Sequence, residues 1–229
     1  MPGKVLVFFW VAVLSVPGCA YLGGAGRTSP APDVEDIETV LVAPFEVVSD
    51  LQSSSANRCP VCNAVVNPGR VQSGAADYMT RQLMGHLKAR SDYILMGPGM
   101  AAGIRAQIIS KDVGVSRRRL LVEMGKEIGA DAVVSGTLYR FRRRVGTDLA
   151  IESPASVGFG VHFIRCSDGA LIWSKHFDET QQDLSENLLK LPSFVKRGGH
   201  WLTAERLAAY GLSDVMDEFP VPGILQEGK

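Results

Sequence analysis

The chain has 229 residues, of which 46% are hydrophobic, and a mean hydropathy of +0.09. This length and composition suit one domain with its own core plus short extensions. Lys and Arg together number 24, as do Asp and Glu, so the formal net charge is zero. That balance argues against a general nucleic-acid-binding protein, which would carry a basic surface.

Residues 1–19 have the pattern of an export signal that ends in a modified cysteine. The apolar run Val5–Val16 is shorter than the roughly 20 residues of a spanning helix and suits a signal-peptide core of roughly 7–15 residues. The residues before Cys19 then resemble the bacterial lipobox. The resemblance implies cleavage after Gly18, lipidation of Cys19 and, because Ala20 follows, sorting to the outer membrane. An ordinary secretory signal or an uncleaved anchor is the alternative.

The rest of the chain alternates predicted strands and helices. Residues 19–37 are rich in Gly, Ser and Pro and predict a flexible tether, whereas residues 46–72 predict a long insertion. The predicted elements are a strand at 38–45, a helix at 73–90 capped by Ser73, a strand at 93–96, a helix from Ser116 to Gly129, a strand at 131–142, two hairpin strands at 156–166 and 170–180, and a last helix whose apolar face runs from Ala204 to Phe219.

The hairpin turn predicts the pairing of the last two strands. Asp168-Gly169 is a favoured pair for a two-residue type I′ turn, in which both residues have positive φ. Such a turn predicts four cross-strand pairs in the hairpin: Cys166 with Leu171, Ile164 with Trp173, His162 with Lys175, and Gly160 with Phe177.

This order of elements predicts an α/β fold with a mixed sheet of about five strands, packed helices, a final β-hairpin and a C-terminal helical extension. The predicted regions are a signal peptide at 1–18, a lipid-anchored tether at 19–37, an α/β domain at 38–182 that contains the insertion 46–72, and a helical extension at 183–229.

Three segments resemble a group of bacterial envelope lipoproteins. They are the first strand (40–45), the helix end and strand at 128–138 with the sequence Ile-Gly-Ala-Asp, and the hairpin turn at 167–173. The group includes the curli-secretion lipoprotein, the outer-membrane activators of penicillin-binding proteins and the amino-terminal domain of the Tol-system propeller protein. The resemblance covers about residues 38–180 and implies a fold, not an activity.

Cys59 and Cys62 have the two-residue spacing of a redox pair or of half a zinc site. A structural zinc ion needs four ligands, and no second Cys-x-x-Cys pair exists in the sequence. A local disulfide, free thiols and a metal site therefore all stay open. Cys166 could supply a third ligand, but its place in the hairpin favours a buried thiol.

No catalytic constellation is evident among the remaining residues. The four histidines are His86, His162, His176 and His200, and neither His-Glu-x-x-His nor Gly-x-Ser-x-Gly occurs. His86 lies beside Leu83 and Leu87 on a predicted helix, where a surface or half-buried role is expected. We expect no cofactor and no enzymatic activity.

Two arginine clusters are candidate docking surfaces. Arg140, Arg142, Arg143 and Arg144 surround the end of one predicted strand, and Arg117–Arg119 begin a helix. Guanidinium groups suit phosphate and carboxylate recognition, although a solvated surface is the simpler interpretation of both clusters.

These features predict a non-catalytic, lipid-anchored binding or adapter protein that faces the periplasm and serves an envelope-assembly or secretion partner. Its contacts would be the membrane, through the lipid, and an envelope protein. No nucleic-acid partner is expected, and an oligomer is left open. The alternatives are a metal-handling or redox lipoprotein that uses Cys59 and Cys62, or an envelope enzyme with a site in the insertion and the Lys196–Trp201 connector.

Overall fold

The structure is a computed structural model that describes residues 34–48, 57–146, 151–181 and 202–222. The predicted signal peptide, the lipidation site Cys19 and the Lys196–Trp201 connector lie outside these residues. The helices are α1 (Ala75–Arg90), α2 (Pro98–Lys111), α3 (Arg117–Ile128) and α4 (Ala204–Met216). The strands are β1 (Thr39–Val42), β2 (Glu46–Val47), β3 (Ile94–Met96), β4 (Ala132–Arg142), β5 (Val145–Gly146), β6 (Ile151–Ser153), β7 (Ser156–Arg165) and β8 (Leu171–Thr180).

Six of the strands form one mixed sheet, which confirms the predicted fold class. The strand order is β3-β1-β4-β7-β8, and β2 pairs with β4 beyond the end of β1. β1 runs parallel to β3 and β4, and β2 runs parallel to β4, whereas the β4–β7 and β7–β8 pairs are antiparallel. β5 and β6 form a separate two-stranded pair. The final hairpin and the C-terminal helix are both present, as predicted.

The two faces of the sheet are covered by different elements. Helices α1 and α4 cover the first face, which we call the aromatic face. Residues 57–72 form a segment that we call the Cys loop. This loop and helices α2 and α3 cover the opposite face, which we call the cysteine face. Fully buried side chains on the aromatic face include Val40, Val42, Val134, Phe159, Phe163, Leu83 and Leu212. Those on the cysteine face include Leu41, Val133, Ile164 and Leu121.

The motif at the start of β4 joins the two parallel strands at their first residues. The Asp131 carboxylate accepts hydrogen bonds from the backbone N–H groups of Glu38 (3.1 Å) and Thr39 (2.8 Å) and from the Thr39 hydroxyl (2.7 Å). The Thr39 hydroxyl in turn accepts from the N–H of Asp131 at 3.1 Å. Gly129, at the C-cap of α3, has a φ of 79° and turns the chain into this strand. The Gly-Ala-Asp sequence is thus a helix end followed by a strand cap.

The helix ends are partly as predicted. Ser116 caps α3, because its side chain accepts a hydrogen bond from the N–H of Arg119. The prediction that Ser73 caps α1 is wrong, since Gly74 holds that position with a φ of 77° and makes no side-chain cap. Helix α2 was not predicted. It begins at Pro98, a favoured first residue of a helix, but only Ala101 of its residues is buried, so no apolar stripe indicates it.

The predicted type I′ turn and its register are wrong. Of the two turn residues only Gly169 has a positive φ, 70°, and Arg165 N–H bonds to the carbonyl of Ala170 across a four-residue loop. A bulge between Phe163 and Ile164 then shifts the pairing by one residue. Because side chains alternate along a strand, this shift exchanges the two faces of β8. The observed pairs are Ile164 with Leu171, Phe163 with Trp173, His162 with Ser174, and Gly160 with His176.

Candidate metal centre

The Cys loop folds back on itself around its two cysteines. The N–H of Cys59 bonds to the carbonyl of Ala64 at 2.8 Å, and the N–H of Asn63 bonds to the carbonyl of Cys59 at 2.9 Å. Asn63 has a φ of 64°, a left-handed conformation that asparagine tolerates better than most residues. This tight turn places the Cys59 and Cys62 sulfur atoms on the same side of the loop, within 4.8 Å of each other.

The same loop is attached to β4 beyond its cysteines. Phe141 donates its N–H to the carbonyl of Arg70 at 3.0 Å, and Gln72 donates its N–H to the carbonyl of Phe141 at 3.1 Å. Val61 and Val66 are buried against the cysteine face. The last part of the predicted insertion therefore runs along the sheet and covers its cysteine face beyond α3.

Two histidines of the final hairpin lie under this loop. His162 on β7 and His176 on β8 share the cysteine face, because His176 pairs with Gly160, two residues from His162. The His176 ring can lie over β7 because residue 160 is a glycine. A Cβ atom at Gly160 would lie 2.7 Å from the Tyr139 hydroxyl and 2.8 Å from the His176 ring. The two imidazole rings are 5.5 Å apart between centroids and nearly perpendicular, at 77°.

Each cysteine contacts one of these histidines. Cys59 Sγ lies 3.3 Å from His162 Nε2, and Cys62 Sγ lies 3.2 Å from His176 Nε2. The Cys59, Cys62 and His162 ligand atoms all lie within 4.8 Å of one another. These three side chains form one potential metal-binding group, and His176 adjoins it through its contact with Cys62.

Neighbouring groups orient the two imidazole rings. His162 Nδ1 lies 3.3 Å from the Ser135 carbonyl oxygen, which can only accept, so Nδ1 carries the hydrogen in this contact. His176 Nδ1 lies 3.4 Å from the Tyr139 hydroxyl. Both contacts use Nδ1 and leave Nε2 directed at a sulfur atom. Carbonyl and hydroxyl partners at the second nitrogen are typical of metal-binding histidines.

The charges of the cluster are coupled. Burial acts to raise the pKa of the Cys59 thiol, but the hydrogen bond and charge of His162 lower that pKa overall. Burial acts to lower the pKa of His162, but the contacts with Cys59 and Cys62 raise it. Burial, followed by the charge of His162, lowers the pKa of His176. Without a metal, these shifts favour a Cys59 thiolate paired with a protonated His162, so metal binding would release the proton from His162 Nε2.

The cluster is enclosed by the Cys loop. Cys59 is 2% exposed and His162 is fully buried, while Cys62 and His176 are half-buried. The N–H of Val61 points at Cys59 Sγ at 3.4 Å, and burial together with the charge of Cys59 raises the pKa of the Tyr139 hydroxyl above its usual range. An enclosed set of this kind can hold an ion, but it leaves little room for a substrate.

The sequence identified two of these four residues. Cys59 and Cys62 were singled out by their spacing, and in the structure neither forms a disulfide. His162 and His176 were missed, because the predicted register paired His162 with Lys175 and Gly160 with Phe177. Cys166 is a buried free thiol, as the sequence favoured, and packs against α3 at Gly125. His86 is half-buried on α1.

The arginines near the end of β4 have different environments. Arg140 points inward, with a side chain that is 13% exposed and an ion pair to Asp178 at 2.5 Å. Arg143 is exposed and pairs with Glu205 at 2.9 Å. Arg142 is exposed, and Arg144 is half-buried and has an interaction of its own. The predicted cluster is therefore not one continuous basic surface.

A shallow groove lies beside this strand end. Its volume is about 510 Å³, and we call it the basic groove. It is lined by Arg70, Val71, Gln72, Ser73, Phe141, Arg142, Arg143 and Val145. The exposed guanidinium groups of Arg70 and Arg142 stand next to apolar groups, of which Val145 is 51% exposed. The groove can thus accept a segment that carries both acidic and apolar side chains.

Comparisons with known proteins give similarities of fold only. No protein-family profile matches the sequence, and no protein with a curated description matches it. A PelC dodecamer from Paraburkholderia phytofirmans matches in structure at 14% identity with a TM-score of 0.45, over 79% of this chain and 85% of that one.

Two further matches cover a smaller share of this chain. The LpoB C-terminal domain from Salmonella enterica matches at 14% identity and a TM-score of 0.40, over 66% of this chain and 88% of that one. Lipoprotein GNA1162 from Neisseria meningitidis matches at 13% identity and a TM-score of 0.40, over 70% and 96%. At such identities and TM-scores these matches give no information on the activity, partner or assembly of the present chain.

Among the described residues, none of the helices has the length and apolar character required to span a bilayer.

Proposed function

We propose that the protein is a non-catalytic binding protein of the bacterial cell envelope. It is anchored through lipid on Cys19 in the outer membrane, faces the periplasm, and docks onto an envelope-assembly or secretion partner. The anchor rests on the lipobox-like residues before Cys19. A tethered domain raises the effective concentration of its binding surface near the membrane, which suits an adapter.

The observation that carries the non-catalytic part is the enclosure of the Cys–His cluster. Among the described residues, this cluster is where nucleophilic and basic groups converge, with Cys59 and His162 within 3.3 Å. A nucleophile and base of a catalytic site must reach a substrate. Here Cys59 is 2% exposed and His162 is fully buried, so the pair faces other protein groups.

The basic groove is the proposed docking surface, because its exposed arginines can bind acidic groups of a partner. Arg70 and Arg142 are exposed, and the groove walls also carry Phe141 and Val145. Arg140 is excluded, because it bonds inward to Asn67, Ser156 and Asp178. A periplasmic protein with an acidic segment that includes apolar side chains is the complementary partner.

The anchor is tested by replacing its cysteine. We expect Cys19→Ser to abolish incorporation of a radiolabelled or clickable fatty acid and to leave an unprocessed or membrane-free form. Cys166→Ser is the control, since that thiol is buried beside Gly125. Label retained by the Cys19→Ser protein would contradict the proposed anchor.

The docking surface is tested with a photo-reactive residue at Val145, in cells that express the full chain. We expect a crosslinked adduct that disappears when Arg70 and Arg142 are both changed to Glu. Arg81→Glu, an exposed change on α1, is the matched control and should retain the adduct. A photo-reactive residue at Val113, which is 88% exposed in another part of the chain, controls for random capture. An adduct at Val145 that survives the double charge reversal would disprove the groove model.

A further inference from the structure

We propose that Cys59, Cys62, His162 and His176 together bind one zinc ion, which attaches the Cys loop to the β7–β8 hairpin. This site is separate from the basic groove and does not depend on the proposed docking function. The two cysteines come from one turn of the chain, and the two histidines lie 103 and 114 residues away from them.

The number and the kind of ligands fit zinc. Structural zinc sites have four protein ligands in a tetrahedron, commonly with two thiolates and two imidazoles. With zinc–sulfur distances of about 2.3 Å and zinc–nitrogen distances of about 2.0 Å, sulfur and nitrogen ligands in a tetrahedron stand about 3.5 Å apart. The two observed sulfur–nitrogen distances are 3.3 and 3.2 Å. The ligand atoms of Cys59, Cys62 and His162 already lie within 4.8 Å of one another, so His176 is the ligand that must move towards the ion. Calcium and magnesium prefer oxygen ligands, so they do not fit this set.

The hydrogen bonds around the cluster prepare the ligand atoms. The Nδ1 atoms of His162 and His176 contact the Ser135 carbonyl and the Tyr139 hydroxyl, so that both Nε2 atoms face sulfur. The Val61 N–H is directed at Cys59 Sγ. Partners of this kind fix ring orientation and the tautomer in metal sites.

Charge balance also favours a doubly charged ion. A buried thiolate costs free energy unless it is paired or bound to a metal. Two thiolates and two neutral imidazoles around Zn²⁺ make a neutral unit, which can remain buried under Val61 and Val66. Without an ion, two thiols two residues apart in an oxidising compartment would tend to form a disulfide. The structure instead directs each sulfur at a different histidine.

The enclosure indicates a structural site. Catalytic zinc keeps one position for water or substrate, whereas structural zinc has all four positions filled by protein. Here all four proposed ligands are side chains, and two of them, Cys59 and His162, are buried. The ion would therefore hold the cysteine end of the loop over the cysteine face. The loop is otherwise held by Val61 and Val66, by the bonds of Arg140, and by the backbone bonds of its last residues to β4.

Metal content is the first test. The full chain is purified in detergent from membranes without added metal, and zinc is measured by plasma mass spectrometry. We expect about one zinc ion per chain and a loss of most of it in Cys62→Ser and His176→Gln. These two ligands are half-buried, so their replacement disturbs packing less than a change at Cys59 or His162 would. Cys166→Ser and His86→Gln are the matched controls and should keep the wild-type content.

Cobalt substitution tests the ligand set in the wild-type protein, independently of any variant. After chelation and dialysis against Co²⁺, we expect the intense visible bands of a tetrahedral cobalt–thiolate site. X-ray absorption on the zinc form should show two sulfur and two nitrogen neighbours. Wild-type protein that contains almost no metal and gives no cobalt–thiolate bands would overturn the proposal. So would a Cys59–Cys62 disulfide in protein isolated from the envelope, or zinc that depends on Cys166.

Stability gives a third readout. A chelator should lower the Tm of the wild-type chain by more than about 5 °C and should accelerate tryptic cleavage after Arg58 and Arg70 in the Cys loop. The His176→Gln protein, already without metal, should show no further change on chelation. An equal fall in Tm in both proteins would mean that the chelator acts elsewhere, and would contradict the site.

Discussion

The two faces of the sheet are closed in different ways. On the aromatic face, Phe163 packs against Tyr93 and Phe219, with ring centroids 5.8 and 5.0 Å apart, and Phe159 packs against Phe177 at 5.4 Å. On the cysteine face, α2 and α3 cover one half, and the other half carries the Cys–His cluster under the Cys loop. The first face is held mainly by apolar area, whereas the second combines apolar packing under α2 and α3 with specific polar contacts under the Cys loop.

This difference predicts how each face tolerates change. A large-to-small substitution in an apolar core lowers the free energy of unfolding by an amount that increases with the volume of the cavity it leaves. In a polar cluster the cost depends on which residue is replaced, because the loss of one member leaves its buried partners without a hydrogen bond. Substitutions on the two faces should therefore differ in how much free energy of unfolding they cost, and in whether that cost changes when metal is removed.

The largest expected effect is on the aromatic face. Phe163 is fully buried, and Phe163→Ala should cost about 3–5 kcal/mol in the free energy of unfolding, because it removes contacts and leaves a cavity. Urea denaturation of the full chain measures this cost. Val113→Ala, at an 88% exposed position, is the control and should change stability by less than about 0.5 kcal/mol. The cost of Phe163→Ala should be the same with and without chelator, and a strong chelator dependence would mean that the two faces are not independent.

A smaller cost is expected for Gly160→Ala on the cysteine face. The new Cβ would lie 2.8 Å from the His176 ring and 2.7 Å from the Tyr139 hydroxyl, so both must move. We expect a loss of about 1–3 kcal/mol together with reduced zinc content. Gly85→Ala on α1 is the matched control, because no atom lies within 4 Å of its Cβ position. That control should be neutral or stabilising by up to about 1 kcal/mol.

Chelation should remove part of the Gly160→Ala cost, because the two changes act on the same contacts. If the cost in urea is unchanged by chelator, the substitution acts through backbone or packing alone. His176 would then not be a ligand.

The aromatic face could largely be predicted from the sequence. The apolar spacing of Met79, Leu83 and Leu87 defines the buried side of α1, and the face from Ala204 to Phe219 defines that of α4. On the cysteine face, Ser116 and Gly129 likewise mark the ends of α3 as predicted. Such signals are local, with a period set by the helix, and they need no knowledge of distant residues.

The metal centre could be predicted only in part. Cys59 and Cys62 are recognisable by spacing, but their partners lie on strands more than 100 residues away. The turn at Asp168-Gly169 suggested a register that placed His176 on the other face, and a bulge between Phe163 and Ile164 reverses that result. A bulge is one inserted residue without a reliable sequence signal, and it exchanges both faces of the strand that follows.

Arg140 provides the next test, because it connects the Cys loop to the hairpin. Its guanidinium donates to Asn67 O at 2.6 Å, to Ser156 Oγ at 2.5 Å and to Asp178 Oδ1 at 2.5 Å. We expect Arg140→Ala to cost about 1–2 kcal/mol in the free energy of unfolding and to speed tryptic cleavage after Arg70. Arg142→Ala, at an exposed neighbouring position, should change stability by less than about 0.5 kcal/mol. Equal effects of the two substitutions would show that Arg140 does not hold the loop.

The smallest effect concerns Asp131, where β1 and β4 begin and neither face is involved. Hydrogen bonds from the Thr39 side chain and backbone lower the pKa of the Asp131 carboxyl. A carboxyl with a lowered folded pKa contributes stability above its unfolded pKa, about 3.9, and loses that contribution as the pH falls through the folded pKa. Asp131→Asn should therefore cost up to about 1 kcal/mol at pH 7.

The cost of Asp131→Asn should shrink as the pH is lowered from 5 to below about 3, because the wild-type carboxyl is then protonated as well. Urea denaturation at a series of pH values measures the difference between the two proteins. Glu127→Gln, at an exposed position of α3, is the control and should show a smaller and flatter difference. A cost of Asp131→Asn that stays constant down to pH 2.5 would mean that the side chain stabilises the strand ends by shape and neutral hydrogen bonds, and that its charge contributes nothing.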